Sequence, residues 1–251
     1  MKTIILSVIA SIFALPIYAQ EEKREKERKF LSLEEALKTP NQVYKLDLSN
    51  QGLKAIPKEL RHFPNLEKLD LKKNTIADFS NLKWLKRVKK LDLGSNNLKV
   101  LPKELQYLTQ LRKLDLKKNP IADWNSIYYL TNLKELDLSY VHLERLPKVI
   151  GRLKGLKKLD LKGNQLKEFD TLFYLQNLRQ LDLGSNQLTV LPEQLAYLQQ
   201  LKKLNLKNNR LKEFTVLQRL AHLEKLDLRN NGLSALPPEL EGLEKRSKIK
   251  W

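Results

Sequence analysis

One eleven-residue pattern recurs nine times in this chain and constrains its fold more than any other feature. The pattern reads L-x-x-L-D-L-x-x-N-x-[LI], and the intervals between copies alternate between 23 and 22 residues. A repeat this short cannot bury its own apolar side chains, so each copy must stack on its neighbours. The copies start at Val43, Leu66, Val88, Leu111, Leu133, Leu156, Leu178, Leu201 and Leu223.

Each copy contains the alternation expected of a short strand. In Leu46, Asp47 and Leu48, period two places both leucines on one face and the aspartate on the other. Aspartate occupies this central position in eight copies, and Asn205 occupies it in the remaining one. Stacking of the copies therefore predicts a nine-stranded parallel β-sheet along one side of an elongated body.

The pattern resembles that of the leucine-rich repeat family over residues 43–243. The resemblance implies an α/β solenoid with the sheet on its concave face and a buried motif asparagine that bonds adjacent turns. Gln51 and Val141 replace this asparagine in the first and fifth copies, and we expect a local rearrangement at Val141 without a break in the solenoid. The motif asparagines are Asn74, Asn96, Asn119, Asn164, Asn186, Asn209 and Asn231.

Two kinds of outer segment alternate between the strands. Odd copies carry a Leu-Pro pair, as at Leu101 and Pro102, and even copies carry an aromatic residue instead. Because proline fixes φ and favours turns, we predict short irregular or 3-10 segments on the convex face. We expect the aromatic residues to pack in the core rather than line a ligand box. They are Phe79, Trp124, Phe169 and Phe214.

The first 19 residues have the organisation of a secretory signal peptide. Lys2 precedes an apolar run over residues 4–15, and Ala19 supplies a small residue before a cleavage point at Gln20. No later apolar run is long enough to cross a bilayer, so we predict an exported protein without a transmembrane anchor. The chain has no cysteine, which excludes disulfide caps and a lipoprotein anchor.

Four further segments follow the signal peptide. Residues 20–29 form a charged leader, predicted to be flexible, with five basic and four acidic side chains. Residues 30–42 predict a capping helix, because Ser32 and Glu35 have the spacing of a capping box and Pro40 ends the helix. Such a helix would cover the open edge of the first strand. Residues 43–243 form the repeat domain, and the tail 244–251 is expected to shield the last strand.

The order of these segments sharpens the resemblance. Residues 33–40 read LEEALKTP and precede L-D-L-S at residues 46–49. This arrangement is similar to that of the exported leucine-rich repeat proteins of leptospires. The resemblance implies secretion or surface display and contact with host molecules, with a periplasmic location as the other outcome of export.

Outward positions on the strands form columns that carry the candidate binding residues. Basic side chains outnumber acidic ones there, and the formal net charge of the chain is +18. A basic face accelerates association with acidic partners and loses this effect with salt, although the lysines could also serve only to solvate the sheet. One basic column holds Lys45, Lys68, Lys90, Lys113, Lys158 and Lys203, and the other holds Lys72, Lys117, Lys162, Lys207 and Arg229.

Two further surface features stand out from the repeats. Tyr140 and His142 flank the irregular Val141, and a specific binder is expected to use this spot. An aromatic row on the outer segments has the composition of an interface. Tyrosines lying flat over the core with only their hydroxyls in water are the alternative that we favour for this row. Its members are Trp84, Tyr107, Tyr129, Tyr174 and Tyr197.

These features predict a non-catalytic binding protein without a cofactor. The aspartate column offers oxygens to a hard cation, but the competing lysines argue against a metal site. His62, His142 and His222 fall in different repeats, so the pattern contains no catalytic constellation.

The predicted partner is a protein, held by a monomer on the basic concave face. An anionic polysaccharide is the second candidate ligand, and export argues against nucleic acid. An envelope or periplasmic scaffold without an external ligand is the alternative from a different functional class.

Overall fold

Ten short parallel strands pair in sequence order along one side of the chain. In the computed structural model, which describes residues 26–251, each strand is three residues long and pairs with the next in an open sheet. Equivalent motif positions pair, as Leu46 does with Leu69. The strands are β1 Lys45–Asp47, β2 Lys68–Asp70, β3 Lys90–Asp92, β4 Lys113–Asp115, β5 Glu135–Asp137, β6 Lys158–Asp160, β7 Gln180–Asp182, β8 Lys203–Asn205, β9 Lys225–Asp227 and β10 Lys248–Lys250.

The tenth strand corrects the nine-stranded prediction. β10 comes from the C-terminal tail, which carries none of the repeat pattern. It pairs in parallel with β9, and the Leu228 N–H donates to the Lys250 carbonyl at 2.6 Å. The short helix Glu241–Glu244 precedes it. Since β10 follows β9 in the sheet, the tail covers the strand edge that the last repeat would leave unpaired.

Short 3-10 segments connect the strands on the opposite side, which confirms the predicted solenoid architecture. In the odd repeats, proline occupies the position before the segment, as Pro102 does before Lys103–Tyr107. The other segments are Pro40–Gln42, Lys58–His62, Ser80–Trp84, Asn125–Tyr129, Lys148–Arg152, Asp170–Tyr174, Glu193–Tyr197, Thr215–Arg219 and Pro238–Leu240.

The leucines of strands and outer segments fill one continuous core between these two layers. The four aromatic residues of the even repeats are buried in it, with at most 7% of Phe79 and Phe169 exposed. Their role is therefore packing, as the pattern predicts. Alternation of aromatic and aliphatic side chains in one column lets successive turns interdigitate.

The motif asparagines tie each repeat to the one before it. Asn119 Oδ1 accepts the N–H groups of Asn96 and Leu98 at 2.9 and 3.0 Å. Its Nδ2 donates to the carbonyls of Leu93 and Leu116, both at 2.9 Å. One buried side chain thus satisfies four backbone groups that the turning chain would otherwise leave unpaired.

Val141 interrupts these bonds without interrupting the sheet. The Ile121 N–H, which would reach an asparagine at position 141, donates instead to the Asn119 carbonyl at 2.9 Å. Strands β4 and β5 keep the common register, with Leu114 opposite Leu136. The rearrangement is local, as expected from the sequence.

The N-terminal edge is covered mainly by extended backbone rather than by a helix. Phe30 N–H donates to the Lys45 carbonyl at 3.0 Å, and Phe30 O accepts from Asp47 N–H at 2.8 Å. The helix Leu33–Lys38 follows, with the Ser32 hydroxyl accepting from Glu35 N–H. Extended backbone protects this edge better than a helix would, because it pairs directly with the edge N–H and C=O groups of β1.

The leader is anchored at its C-terminal end, which corrects the expectation of flexibility there. Lys29 Nζ lies 2.6 Å from Asp47 Oδ2, and Glu27 O accepts from Lys45 Nζ at 3.2 Å. Residues 20–25 and the predicted signal peptide 1–19 lie outside the described residues. Within residues 26–251, no helix combines the length and apolarity needed to cross a bilayer.

Candidate binding face

The first basic column runs in register through the whole sheet. Lys68 pairs with Lys45 and Lys90 on neighbouring strands, and Lys248 of β10 adds a lysine that the repeat pattern does not predict. Glu135 and Gln180 interrupt the lysines, one with an acidic and one with an uncharged side chain. The lysines of the column are Lys45, Lys68, Lys90, Lys113, Lys158, Lys203, Lys225 and Lys248.

Most lysines of this column form no salt bridge within the described residues. Lys113 Nζ lies 3.2 Å from Glu135 Oε2. In the part of the chain that the structure describes, Lys68, Lys90 and Lys158 form no salt bridge. Lysines stacked at strand spacing repel one another, so a bound anion would relieve this repulsion.

Three members of the second basic column form salt bridges with an aspartate of their own strand. Lys72 Nζ lies 2.8 Å from Asp70 Oδ2, and Lys117 Nζ lies 3.0 Å from Asp115 Oδ2. Arg229 binds Asp227 in the same way with two nitrogens. These three cations, expected to contact a ligand, therefore neutralise the aspartate two positions earlier on their own strand. These salt bridges join side chains of the same repeat rather than of neighbouring repeats.

The aspartate column has a structural task as well. Asp92 Oδ1 accepts from Gly94 N–H at 2.9 Å, and Asp160 Oδ1 accepts from Lys162 N–H at 3.0 Å. Equivalent bonds occur on all nine repeat strands. The column thus fixes the turn that follows each strand. Among residues 26–251, no group of three potential metal-ligating side chains is found.

Two aspartates of this column have raised pKa values. Burial, together with repulsion from Asp115, raises the pKa of Asp92 to about 6. Burial and the charges of Asp137 and Asp182 raise the pKa of Asp160 to about 6 as well. Both carboxyls lack a salt-bridging cation within the described chain.

Asp47 shows the opposite behaviour. Burial raises its pKa, but the hydrogen bonds from Lys29 and Ser49 outweigh burial and lower the pKa to about 2. The difference from Asp92 follows from a partner, because Lys29 lies beside Asp47, whereas Asp92 has no salt-bridging cation within the described residues.

Tyr140 forms the most distinctive spot on the face. Its φ of 57° lies in the left-handed region, at a position where other repeats have asparagine, lysine, serine or glycine. The ring packs on Gly163, and the ammonium groups of Lys118 and Lys162 lie 6.0 and 5.9 Å from the ring centroid. His142 is exposed, also with positive φ.

Sequence reasoning found Tyr140, His142 and Lys162 but missed two members of this spot. Gly163 and Lys118 occupy the same turn position as Tyr140 in the neighbouring repeats. An alignment of that position across repeats would have placed all three side by side. Lys162 lies beside the ring and makes no salt bridge to Asp160 in the described structure.

The aromatic row of the outer segments is exposed, so the expectation that only its hydroxyl groups reach water is wrong. Exposed fractions range from 41% for Tyr107 to 57% for Tyr174. Hydroxyl groups alone cannot account for such values. The rings stand at the ends of the 3-10 segments, where packing above them is absent from the described structure.

Matches to family models cover three stretches of the repeat region. The model described as "Leucine Rich repeats (2 copies)" matches residues 176–219. Those described as "Leucine rich repeat" and "Leucine Rich Repeat" match residues 80–121 and 222–243. Among curated proteins, no sequence matches the chain.

Solved structures with the same architecture come from several sources. A leucine-rich repeat protein of Leptospira interrogans is 36% identical, with a TM-score of 0.79, over 89% of this chain. The chain spans 58% of that protein's length. Internalin C2 of Listeria monocytogenes is 29% identical over 72% of this chain and 80% of its own, with a TM-score of 0.62. TLR13, in a complex with ssRNA13, is 26% identical over 88% of this chain and 35% of its own, with a TM-score of 0.75.

Proposed function

Because this chain belongs to the leucine-rich repeat family, we propose that it is an exported, non-catalytic protein that binds an acidic protein on its concave face. One observation carries the proposal: the lysine column runs the length of the sheet, and most of its lysines form no salt bridge within the described residues. A solenoid offers an extended surface to an extended partner. The charge on that surface selects for acidic segments and speeds their association.

The predicted ligand contacts have different tasks in this scheme. Lys68, Lys90 and Lys158 form no salt bridge within the described residues, so their ammonium groups are available to a ligand. Lys72, Lys117 and Arg229 hold the aspartate column and contribute less, because a ligand would compete with an existing salt bridge.

Tyr140 provides specificity. Its ring is held by Gly163 and flanked by Lys118 and Lys162, so it presents an aromatic face with cations beside it. Aromatic residues at the centre of a contact supply much of the binding energy. His142 lies two residues further along the same rim and adds a polar contact.

Export rests on the organisation of residues 1–19. The alternative is an envelope scaffold without an external ligand. Treatment of intact cells with protease distinguishes a surface location from a periplasmic one. A surface protein is cleaved while the cells remain whole, and a periplasmic protein is protected.

Binding at two salt concentrations tests the proposal. Residues 20–251 are titrated with a panel of acidic extracellular host proteins, with heparin as an anionic polysaccharide and with single-stranded RNA, the ligand class described for TLR13. Protein binding that weakens between about 0.05 and about 0.5 M salt supports the proposal, because the Debye length falls about threefold over that range. Binding of RNA or heparin alone would change the partner class, and no binding would favour the scaffold.

A further inference from the structure

Four of the outer turns are uncharged in an otherwise highly charged chain. Charged residues make up 30% of the sequence, with a net charge of +18. The turns by which the third, fourth, sixth and seventh repeats return to the sheet contain none. These turns are residues 105–111, 127–133, 172–178 and 195–201.

The same four turns carry most of the exposed aromatic residues. Phe173 and Tyr174 meet edge-to-face at 5.4 Å between centroids, and Phe173 meets Tyr197 of the next repeat at 4.8 Å. Tyr128 and Tyr129 form a similar pair at 5.4 Å. All five rings are between 41% and 57% exposed. Mutual contact holds the rings in place while they remain open to solvent.

Exposed amides border these rings. Gln176, Asn177, Gln199 and Gln200 line a shallow hollow with Tyr197, between the tips of the sixth and seventh repeats. Asn177 Nδ2 donates to the Lys154 carbonyl, and Gln199 Nε2 donates to the Arg219 carbonyl. These bonds hold the side chains while their carbonyl oxygens keep free acceptor capacity within the described residues.

The fifth repeat interrupts the row without leaving a gap. Tyr174 lies against Gly151, where an added Cβ would meet the ring at 3.1 Å. The Arg152 guanidinium lies 4.3 Å from the centroid of Tyr128. Both contacts bring the two aromatic pairs toward the fifth repeat and join them into one surface.

We propose that this aromatic and amide surface binds a neutral polysaccharide. Aromatic rings can stack on the apolar C–H faces of sugar rings, and amides pair with sugar hydroxyls as both donors and acceptors. An anionic ligand would favour the lysine-rich sheet instead, whereas the absence of charge from these four turns fits an uncharged ligand. The site is separate from the concave face and does not depend on its function.

Retention of residues 20–251 on immobilised dextran, mannan and galactan tests this site. Binding to at least one of the three is expected, with little change in about 0.5 M salt, because the rings and amides that contact the sugar are uncharged. The pair Tyr174→Ala and Tyr197→Ala should weaken binding about tenfold or more, because both stacking faces are removed. Tyr174→Phe with Tyr197→Phe keeps the faces and should stay within about twofold.

Two controls separate sugar stacking from charge attraction and from unfolding. A variant with Lys68, Lys90 and Lys158 changed to Glu should bind the polysaccharide normally, and melting curves should show that the alanine pair is folded. Absence of retention on all three polysaccharides, or equal retention of the alanine pair, would overturn the proposal. Concentration-dependent dimerisation that the alanine pair abolishes, without polysaccharide binding, would overturn it as well and assign the surface to a second copy of the chain.

Discussion

The ring of Tyr140 lies on the backbone of Gly163, at the equivalent turn of the next repeat. A Cβ at Gly163 would lie 2.2 Å from Tyr140 Cε1, far inside van der Waals contact. Gly163 has a φ of 68°, so two separate constraints favour glycine there. The position of the ring in the proposed binding spot therefore depends on a residue that does not itself present a side chain.

Gly163→Ala should destabilise the protein by about 2–4 kcal/mol, combining left-handed strain with displacement of the ring. Gly232→Ala is the matched control, because Gly232 has a φ of 77° and no atom near its added Cβ. Gly232→Ala should lower the free energy of unfolding by only about 1 kcal/mol. Urea unfolding of both variants measures the difference.

Removal of the ring should rescue part of the Gly163 defect. When Tyr140 is already changed to Ser, Gly163→Ala adds only backbone strain. The free energy of unfolding that Gly163→Ala then removes should fall toward the value for Gly232→Ala. Equal costs for Gly163→Ala with and without Tyr140 would show that the ring contact is not formed.

Asp92→Asn should stabilise the protein at pH 7.5 by about 1 kcal/mol, after allowance for solvent screening. The folded pKa of about 6 lies above the ordinary 3.8, so stability is lost as pH rises from about 4 through 6. Asparagine keeps the acceptor for Gly94 N–H, as Asn205 does naturally in its own turn. The gain should vanish at pH 3.5, which unfolding at both pH values will measure.

Asp47→Asn is predicted to act in the opposite direction. Because the pKa of Asp47 is lowered to about 2, its ionised form contributes stability above pH 4 that is lost as pH falls toward 2. The substitution should therefore destabilise the protein at pH 7.5 and have little effect at pH 2. A stabilising effect at pH 7.5 would refute the assigned salt bridge with Lys29.

Asn164→Ala should destabilise the protein by about 3 kcal/mol. The Asn164 side-chain oxygen accepts from the N–H groups of Val141 and Leu143. Its side-chain nitrogen donates to the carbonyls of Leu138 and Leu161. Asn125→Ala provides the control, since Asn125 is exposed, its φ is not positive, and its side chain makes no hydrogen bond within the described residues. Thermal unfolding should separate the two by several degrees; equal losses would contradict the role given to the buried amide.

The architecture was predictable because it depends on local periodicity. Leucine alternation defines the strands, and proline such as Pro102 defines where an outer segment begins. β10 was missed because Lys248 and Lys250 belong to no repeat. Its pairing depends on the edge left by β9, which is a tertiary property.

The binding face was predictable only in part. Alternation identifies which lysines face outward, but it does not reveal that Lys72 and Lys117 turn back to an aspartate on their own strand. Contacts between repeats are also hidden, because Tyr140 and Gly163 are 23 residues apart and meet only in the stacked solenoid. The exposure of Tyr174 depends on what packs above it, which periodicity does not encode.

The most direct test of the concave face compares two triple charge reversals that change the net charge equally. One changes Lys68, Lys90 and Lys158 to Glu on the sheet. The other changes Lys58, Lys103 and Lys148 to Glu; these lysines begin the outer segments of three odd repeats and are exposed.

Affinity of both variants for the acidic partner is measured at physiological salt by titration calorimetry. We expect a loss of about a hundredfold for the sheet variant and less than about threefold for the outer variant, because charge reversal acts strongly only at the contact. Equal losses in both variants would mean that the partner responds to overall charge, and would contradict a binding site on the concave face.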